Sequence, residues 1–344
     1  MSDLVQMVEE SATRLLGSFV ETQATELMEA GDFPQAIWDD FVADGWLKTM
    51  LPEEKEGTGL GLEGGYLLMR LAGYYATPLP ITESLMAFYL AAEAGIDLPN
   101  GVFVPVFLTE DTTQSSTLTI KNIPWARHAE GLIIIRPAQT GLAVSLVGKG
   151  LYNCQPGHNM AGEPRDEVSL DPSHLQQSSP LTGVDMAKLE SWMALARASQ
   201  MAGALKSVLE RTVEYANERS QFGRQIGKFQ AVQQQLAVQA ELTSASICAV
   251  DAAIQHLSTE QELELIACAK ITTGESAGYA AKTSHAVHAA IGFTQEYPLQ
   301  LSTRRLWSWR DEFGNEANWS ARLGQQCIDL TTDDLWSWLT TQTS

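Results

Sequence analysis

Apolar residues recur at three- and four-residue spacing through the first hundred positions. Leu4, Met7, Val8, Ala12, Leu15 and Phe19 predict one amphipathic helix, and Ala36 to Gly45 a shorter one stopped by its glycine. The Pro- and Gly-rich stretch from Leu51 to Gly61 reads as a loop. Leu67–Tyr75 and Glu83–Ala94 predict two further helices, separated by Pro78 and Pro80. From Val102 the period shortens. Val102–Leu108, Thr117–Ile120, Gly131–Arg136 and Leu142–Val147 are short β-rich runs between Gly, Pro, Asn and Asp residues. No long helix intervenes, so the expectation is a small antiparallel sheet, not a doubly wound one.

Helical spacing returns near residue 185. Asp185 is placed to cap a helix running to Arg219, with Leu205, Val208, Leu209, Val213 and Ala216 as its apolar stripe. Phe229 to about Leu257, Leu263 to Ala289 and Leu301 to Trp309 predict three more helices. Long helices with short joins form a bundle. The class is therefore α+β, divided as 1–100 (N-terminal helical domain), 101–175 (truncated central β domain), 176–325 (four-helix bundle) and 326–344 (tail). In the tail, Leu335, Trp336 and Leu339 are placed to pack against a subunit.

Charge narrows the partners. The net charge of -20 would repel a phosphate backbone, so nucleic acid is not expected. An anionic cofactor would need a local basic patch, which Arg219, Arg224 and Lys228 supply. Cys154, Cys248, Cys268 and Cys327 form no CxxC pair, so no metal site is expected, and buried thiols in a reducing, cytoplasmic interior fit. No secretory signal and no uncharged 18-residue apolar run is visible, so no membrane span is expected.

The most informative chemistry is Arg219-Ser-Gln-Phe-Gly-Arg-Gln-Ile-Gly-Lys-Phe-Gln230. Its glycines permit a tight turn, an arginine can fork onto a phosphate, and a glutamine can pair at an adenine or ribose edge. The bland alternative is a solvent-exposed helix–helix turn with incidental arginines.

The longer run Glu210-Arg-Thr-Val-Glu-Tyr-Ala-Asn-Glu-Arg-Ser-Gln-Phe-Gly-Arg-Gln-Ile-Gly-Lys-Phe-Gln closely resembles the C-terminal-domain signature of the acyl-CoA dehydrogenases. Gly292-Phe-Thr-Gln-Glu-Tyr-Pro-Leu and Trp46-Leu-Lys-Thr-Met-Leu-Pro-Glu-Glu resemble the same family. The resemblance implies a helical domain, a β domain and a four-helix bundle, with FAD held across a subunit boundary. Arg219 and Gln221 fall at the family's pyrophosphate-contacting positions, Phe222 lies beside the cofactor, and Gln230 closes the same block. The implied reaction is α,β-dehydrogenation of an acyl-CoA, in which a carboxylate removes the α proton and the β hydride passes to the flavin. Implied partners are an electron-transferring flavoprotein and a homologous subunit or a second copy of the chain.

Three departures from the family pattern stand out. Phe107-Leu-Thr-Glu-Asp-Thr-Thr-Gln-Ser-Ser lacks the family's glycine loop, with Thr109 and Thr112 as substitute contacts at best. His285-Ala-Val-His-Ala-Ala places Ala286, Ala289 and Ala290 where the family has a glutamine and two glycines. His288 reads as a core histidine, the alternative being a part in a phosphate path. The two family base positions fall on Phe313 and Met193. Glu312 and Asp311 adjoin Phe313 and are the candidate catalytic carboxylates; Glu190 lies one turn before Met193. The competing reading of Trp309–Gly314 is an ion-paired helix end balanced by Arg305 and Arg310. Two functions follow: a dehydrogenase subunit for a bulky acyl-CoA with a divided or atypical site, or a non-catalytic subunit supporting a homologous dehydrogenase.

Overall fold

The computed structural model describes residues 3–21, 31–110, 117–294, 296–329 and 335–337. Thr112 and Leu339 lie outside the described residues. The chain forms two compact units, Met1–Glu190 and Ser191–Ser344.

In the first unit, α1 (Asp3–Glu21), α2 (Gln35–Ala43), α3 (Gly61–Tyr74) and α4 (Ile81–Glu93) precede the strands. The buried line of α1 is Val8, Ala12 and Leu16, and Met7 is exposed. Val8 and Ala12 are thus buried as expected, while Leu16 takes the place expected for Leu15. α2 ends at Gly45, whose φ of +80° is the left-handed conformation that glycine adopts without a Cβ penalty. α4 is buried along almost its whole length. It seats the sheet: Ser84 Oγ donates to the Phe103 carbonyl (3.1 Å), and Phe88 meets Phe103 edge-on.

The strands form two sheets rather than one. The first has the order β1 (Phe103–Phe107), β3 (Gly131–Pro137), β4 (Leu142–Gly148), β7 (Ser179–Leu181). The second has the order β2 (Leu118–Pro124), β6 (Arg165–Leu170), β5 (Tyr152–Gln155). The expectation of an antiparallel sheet fails at one pair, because β1 and β3 run parallel. Parallel neighbours need a crossover, and here β2 provides it by leaving for the second sheet. Leu132, Ile133, Ile134 and Ile135 of β3 are all fully buried, as a strand covered on both faces requires. A buried ion pair ties β6 to the turn after β2. Asp166 accepts from the Arg127 backbone N–H (2.8 Å), its Nε (2.9 Å) and the Gly157 N–H (3.1 Å).

The second unit takes up α5 (Met186–Glu218) and continues with α6 (Gln230–Gln255), α7 (Glu262–His288), α8 (Leu299–Asp311) and α9 (Glu316–Asp329). Asp185 caps α5 as expected, its Oδ1 accepting from the Lys188 N–H at 2.8 Å. Met201, Leu205, Val208, Ala277, Leu299, Leu306 and Trp309 form its apolar core. Val213, expected in the stripe of α5, is exposed, and the adjacent Thr212 is buried in its place. The reason is a polar junction. Thr212 Oγ1 donates to Ser284 Oγ (2.9 Å), which also accepts from Gln239 Nε2 (3.1 Å). Ser246 and Ser276 pair in the same way at 2.9 Å. Among the described residues, α6 has the length and apolarity of a membrane-crossing helix, yet it carries Glu241 and Asp251 and buries Gln239, Thr243 and Ser246 in the bundle.

Candidate active site

The run after α5 folds as a miniature hairpin. Ser220 pairs with Gln225 and Gln221 with Arg224, leaving Phe222 and Gly223 as the two loop residues. Both have positive φ, +54° and +78°, which is the primed turn that matches strand twist. Glycine or asparagine normally fills the first of these positions, so Phe222 is held in a strained conformation. Its ring is 91% exposed. The Ile226 N–H closes the loop onto the Arg219 carbonyl (2.8 Å), and the Arg224 guanidinium lies 4.1 Å from the Phe229 ring centroid. A Cβ on Gly227 would stand 3.0 Å from the Ala216 carbonyl oxygen, so this glycine serves packing against α5.

Two clefts open beside the hairpin. One, of about 260 Å³, is lined by Gln221, Phe222, Phe229, Gln235 and Ala286. The other, of about 230 Å³, is lined by Tyr215, Arg219, Gln221, His288, Ala289 and Ala290. The structure thus brings the basic turn and the alanine segment to the same place. Arg219, Gln221, Phe222 and Gln230 are all exposed, and Arg219 makes no ion pair with a described residue. An exposed cation, an amide and an aromatic ring around a cleft fit the pyrophosphate end of FAD.

Ala289 carries φ +54° and ψ -138°, a conformation suited to glycine. His288 is buried. Its Nδ1 lies 2.8 Å from the Ser284 carbonyl, its Nε2 3.1 Å from the Tyr297 hydroxyl, and its ring stacks on Tyr215. Burial is the main cause that holds its pKa below the ordinary histidine value. It is a satisfied core histidine.

At the end of α8 the two candidate carboxylates differ. Asp311 is exposed, whereas Glu312 Oε2 accepts from Nε of the buried Arg197 on α5 at 2.7 Å. Phe313 follows with φ +56° and Gly314 with φ +87°. This turn is pinned from α9: Trp319 Nε1 donates to the Phe313 carbonyl (3.0 Å), and Arg310 pairs with Glu316. The helix end is ion-paired, with Arg197 as a partner that the sequence did not bring forward. Met193 is buried in an unbroken α5, and Glu190 stays one turn before it.

Among the described residues of the bundle, two buried cations escaped the sequence reading, Arg197 of α5 and Lys270 of α7. Lys270 Nζ donates to the carbonyls of Trp309 (2.9 Å) and Arg310 (2.8 Å). The available signal was a lone lysine inside the apolar run Ile266-Ala-Cys-Ala-Lys-Ile271.

The family model described as acyl-CoA dehydrogenase, C-terminal domain, matches residues 184–311. The corresponding N-terminal-domain model matches residues 2–95. A benzylmalonyl-CoA dehydrogenase from Aromatoleum aromaticum is 25% identical, over 88% of this chain and 92% of that protein. The fold matches a chain of the ChsE4–ChsE5 complex from Mycobacterium tuberculosis with a TM-score of 0.83 at 18% identity, covering 96% of this chain and 99% of that one. It also matches a chain of the Tcur3481–Tcur3483 steroid ACAD with a TM-score of 0.83 at 21% identity, covering 93% and 96% of the two chains.

Proposed function

The chain belongs to the acyl-CoA dehydrogenase family, FAD-binding oxidoreductases of acyl-CoA CH–CH bonds, and we propose that it works as one subunit of a heteromeric member with a divided active site. The observation that carries this reading is a contrast between two ends of the bundle. Arg219, Gln221 and Phe222 stand exposed and without an ion-pair partner among the described residues, ready for an anionic ligand. Glu312, at the other end, is already engaged by Arg197.

In the proposed assembly, Arg219 and Gln221 hold the pyrophosphate, Phe222 packs beside it, and Gln230 borders the same block. FAD, when bound, supplies the acceptor for the β hydride. Glu312 or Asp311 takes the α proton, or that role falls to the partner chain. Reducing equivalents then leave to an electron-transferring flavoprotein. The benzylmalonyl-CoA dehydrogenase and the steroid ACAD among the similar proteins favour a bulky acyl group. The ChsE4–ChsE5 complex favours a homologous partner subunit. Against expectation none of the four thiols is buried, Cys248 and Cys268 being exposed, but free thiols still suit a reducing, cytoplasmic setting. We retain the division into an N-terminal helical domain, a truncated β domain, a bundle and a tail as part of this proposal.

The test is co-purification with a homologous partner, read by native mass and flavin absorbance, followed by anaerobic mixing with a panel of acyl-CoA thioesters. The expected result is a two-component flavoprotein bleached by a bulky thioester. An assembly that bleaches with no member of the panel sinks the catalytic reading. The non-catalytic alternative draws on Phe313 at the family's base position. It is favoured if turnover of the assembly survives both Glu312→Gln and Asp311→Asn.

A further inference from the structure

Lys270 stands fully buried, its ammonium on the last carbonyls of α8. Terminal helix carbonyls lack partners within the helix and carry its negative pole, so a cation there is held by hydrogen bonds and by the dipole together. Asp311 and Glu312 come next along the chain. The segment bearing both candidate carboxylates is thus tied at two points, to α7 through Lys270 and to α5 through Arg197.

We propose that Lys270 is a positioning residue for the Asp311–Gly314 turn, holding the end of α8 to α7 while Arg197 holds Glu312 to α5. The inference rests on the reading that this turn belongs to the chemical end of the site. The charged groups around Lys270 are Glu312, Asp311 and Arg310 from the end of α8 and Arg197 from α5, with Glu316 of α9 paired to Arg310. Burial pulls Lys270 down to about 7, with Glu312 and Asp311 acting in the opposite direction and Arg197 and Arg310 reinforcing it. The clamp is therefore charged near pH 6 and neutral near pH 8.5. Either form of the amine donates to the two carbonyls, but burial makes the neutral form the better tenant of the closed site. Opening the turn returns the amine to water, where its pKa rises toward the ordinary lysine value, so opening takes up a proton and becomes harder as pH rises through about 7.

Hydrogen exchange of the assembled protein, read on peptides spanning residues 309–316, tests this directly. After correction for intrinsic rates, wild-type exchange should fall about tenfold between pH 6 and pH 8.5. Lys270→Gln keeps a donor without a titrating charge and should abolish that fall; Lys270→Met should raise exchange and show no titration. In turnover, Lys270→Gln should lower kcat with KM unchanged and remove the limb of the pH profile near 7. A wild-type exchange profile that is flat or rises with pH overturns the proposal even if both variants fail to fold. So does a titration that persists in Lys270→Gln. An assembly that titrates in exchange but never oxidises an acyl-CoA overturns the functional reading and leaves the clamp standing.

Discussion

Single residues in this chain carry opposite kinds of tension. Arg219 is an exposed cation with no ion-pair partner among the described residues, and in the proposed assembly its removal should cost a charge-assisted contact of about 1.5–3 kcal/mol. Arg219→Ala is expected to weaken flavin retention by roughly 10- to 100-fold, measured as the ratio of flavin to protein absorbance after dilution. Asp166 is the reverse case, a buried anion already satisfied. Burial would raise its pKa, yet hydrogen bonds from Arg127 and Gly157 hold it below the ordinary carboxylate value. Its contribution to stability is therefore present above the unfolded aspartate pKa and is lost as pH falls through the lower folded value. Asp166→Asn should lower stability by about 3–5 kcal/mol at neutral pH by stranding Arg127, with a smaller deficit in acid, as melting curves at several pH values would show. Neither Arg197 nor Lys270 was legible as a site residue, because their roles depend on carbonyls and carboxylates some 40 to 115 positions away.

At the scale of elements, the end of α7 is the clearest conflict between sequence and backbone. The family's glycine position holds Ala289, and the backbone still adopts a glycine-like conformation there. Ala289→Gly should relieve that strain and stabilise the chain by about 1–2 kcal/mol, less the entropy that glycine adds to the unfolded state. A denaturant midpoint that falls instead of rising refutes the strain. Periodicity located α5 to α8 well, since their apolar faces repeat over many turns, but α9, which crosses the expected boundary at residue 325, was not foreseen. It located β1 to β4 by their Val, Ile and Leu content. β5, β6 and β7 were not legible, because polar residues such as Asn153, Arg165, Asp166 and Ser179 interrupt them. The direction of β1 against β3 was equally out of reach, since it depends on β2 joining another sheet.

For the whole molecule, the resemblance of the Arg219–Gln230 block and the two matched family domains lead to the same family, and the α+β class holds. What sequence could not supply is proximity. Ala286, Ala289 and Ala290 are some sixty to seventy positions from Arg219 and Gln221, yet they line the same clefts. The departures in the alanine segment and the intact basic turn are therefore features of one site. The Ser284 junction explains why that site keeps its shape. One hydroxyl is shared by α5, α6 and α7, one helical turn before His288 and about two turns before Arg219 along their respective helices. Sliding any of the three helices by a single turn would strand Thr212, Gln239 or Ser284 in the dry interior. The junction acts as a datum mark for the cleft walls: whatever docks there meets surfaces whose heights were already set when the bundle folded.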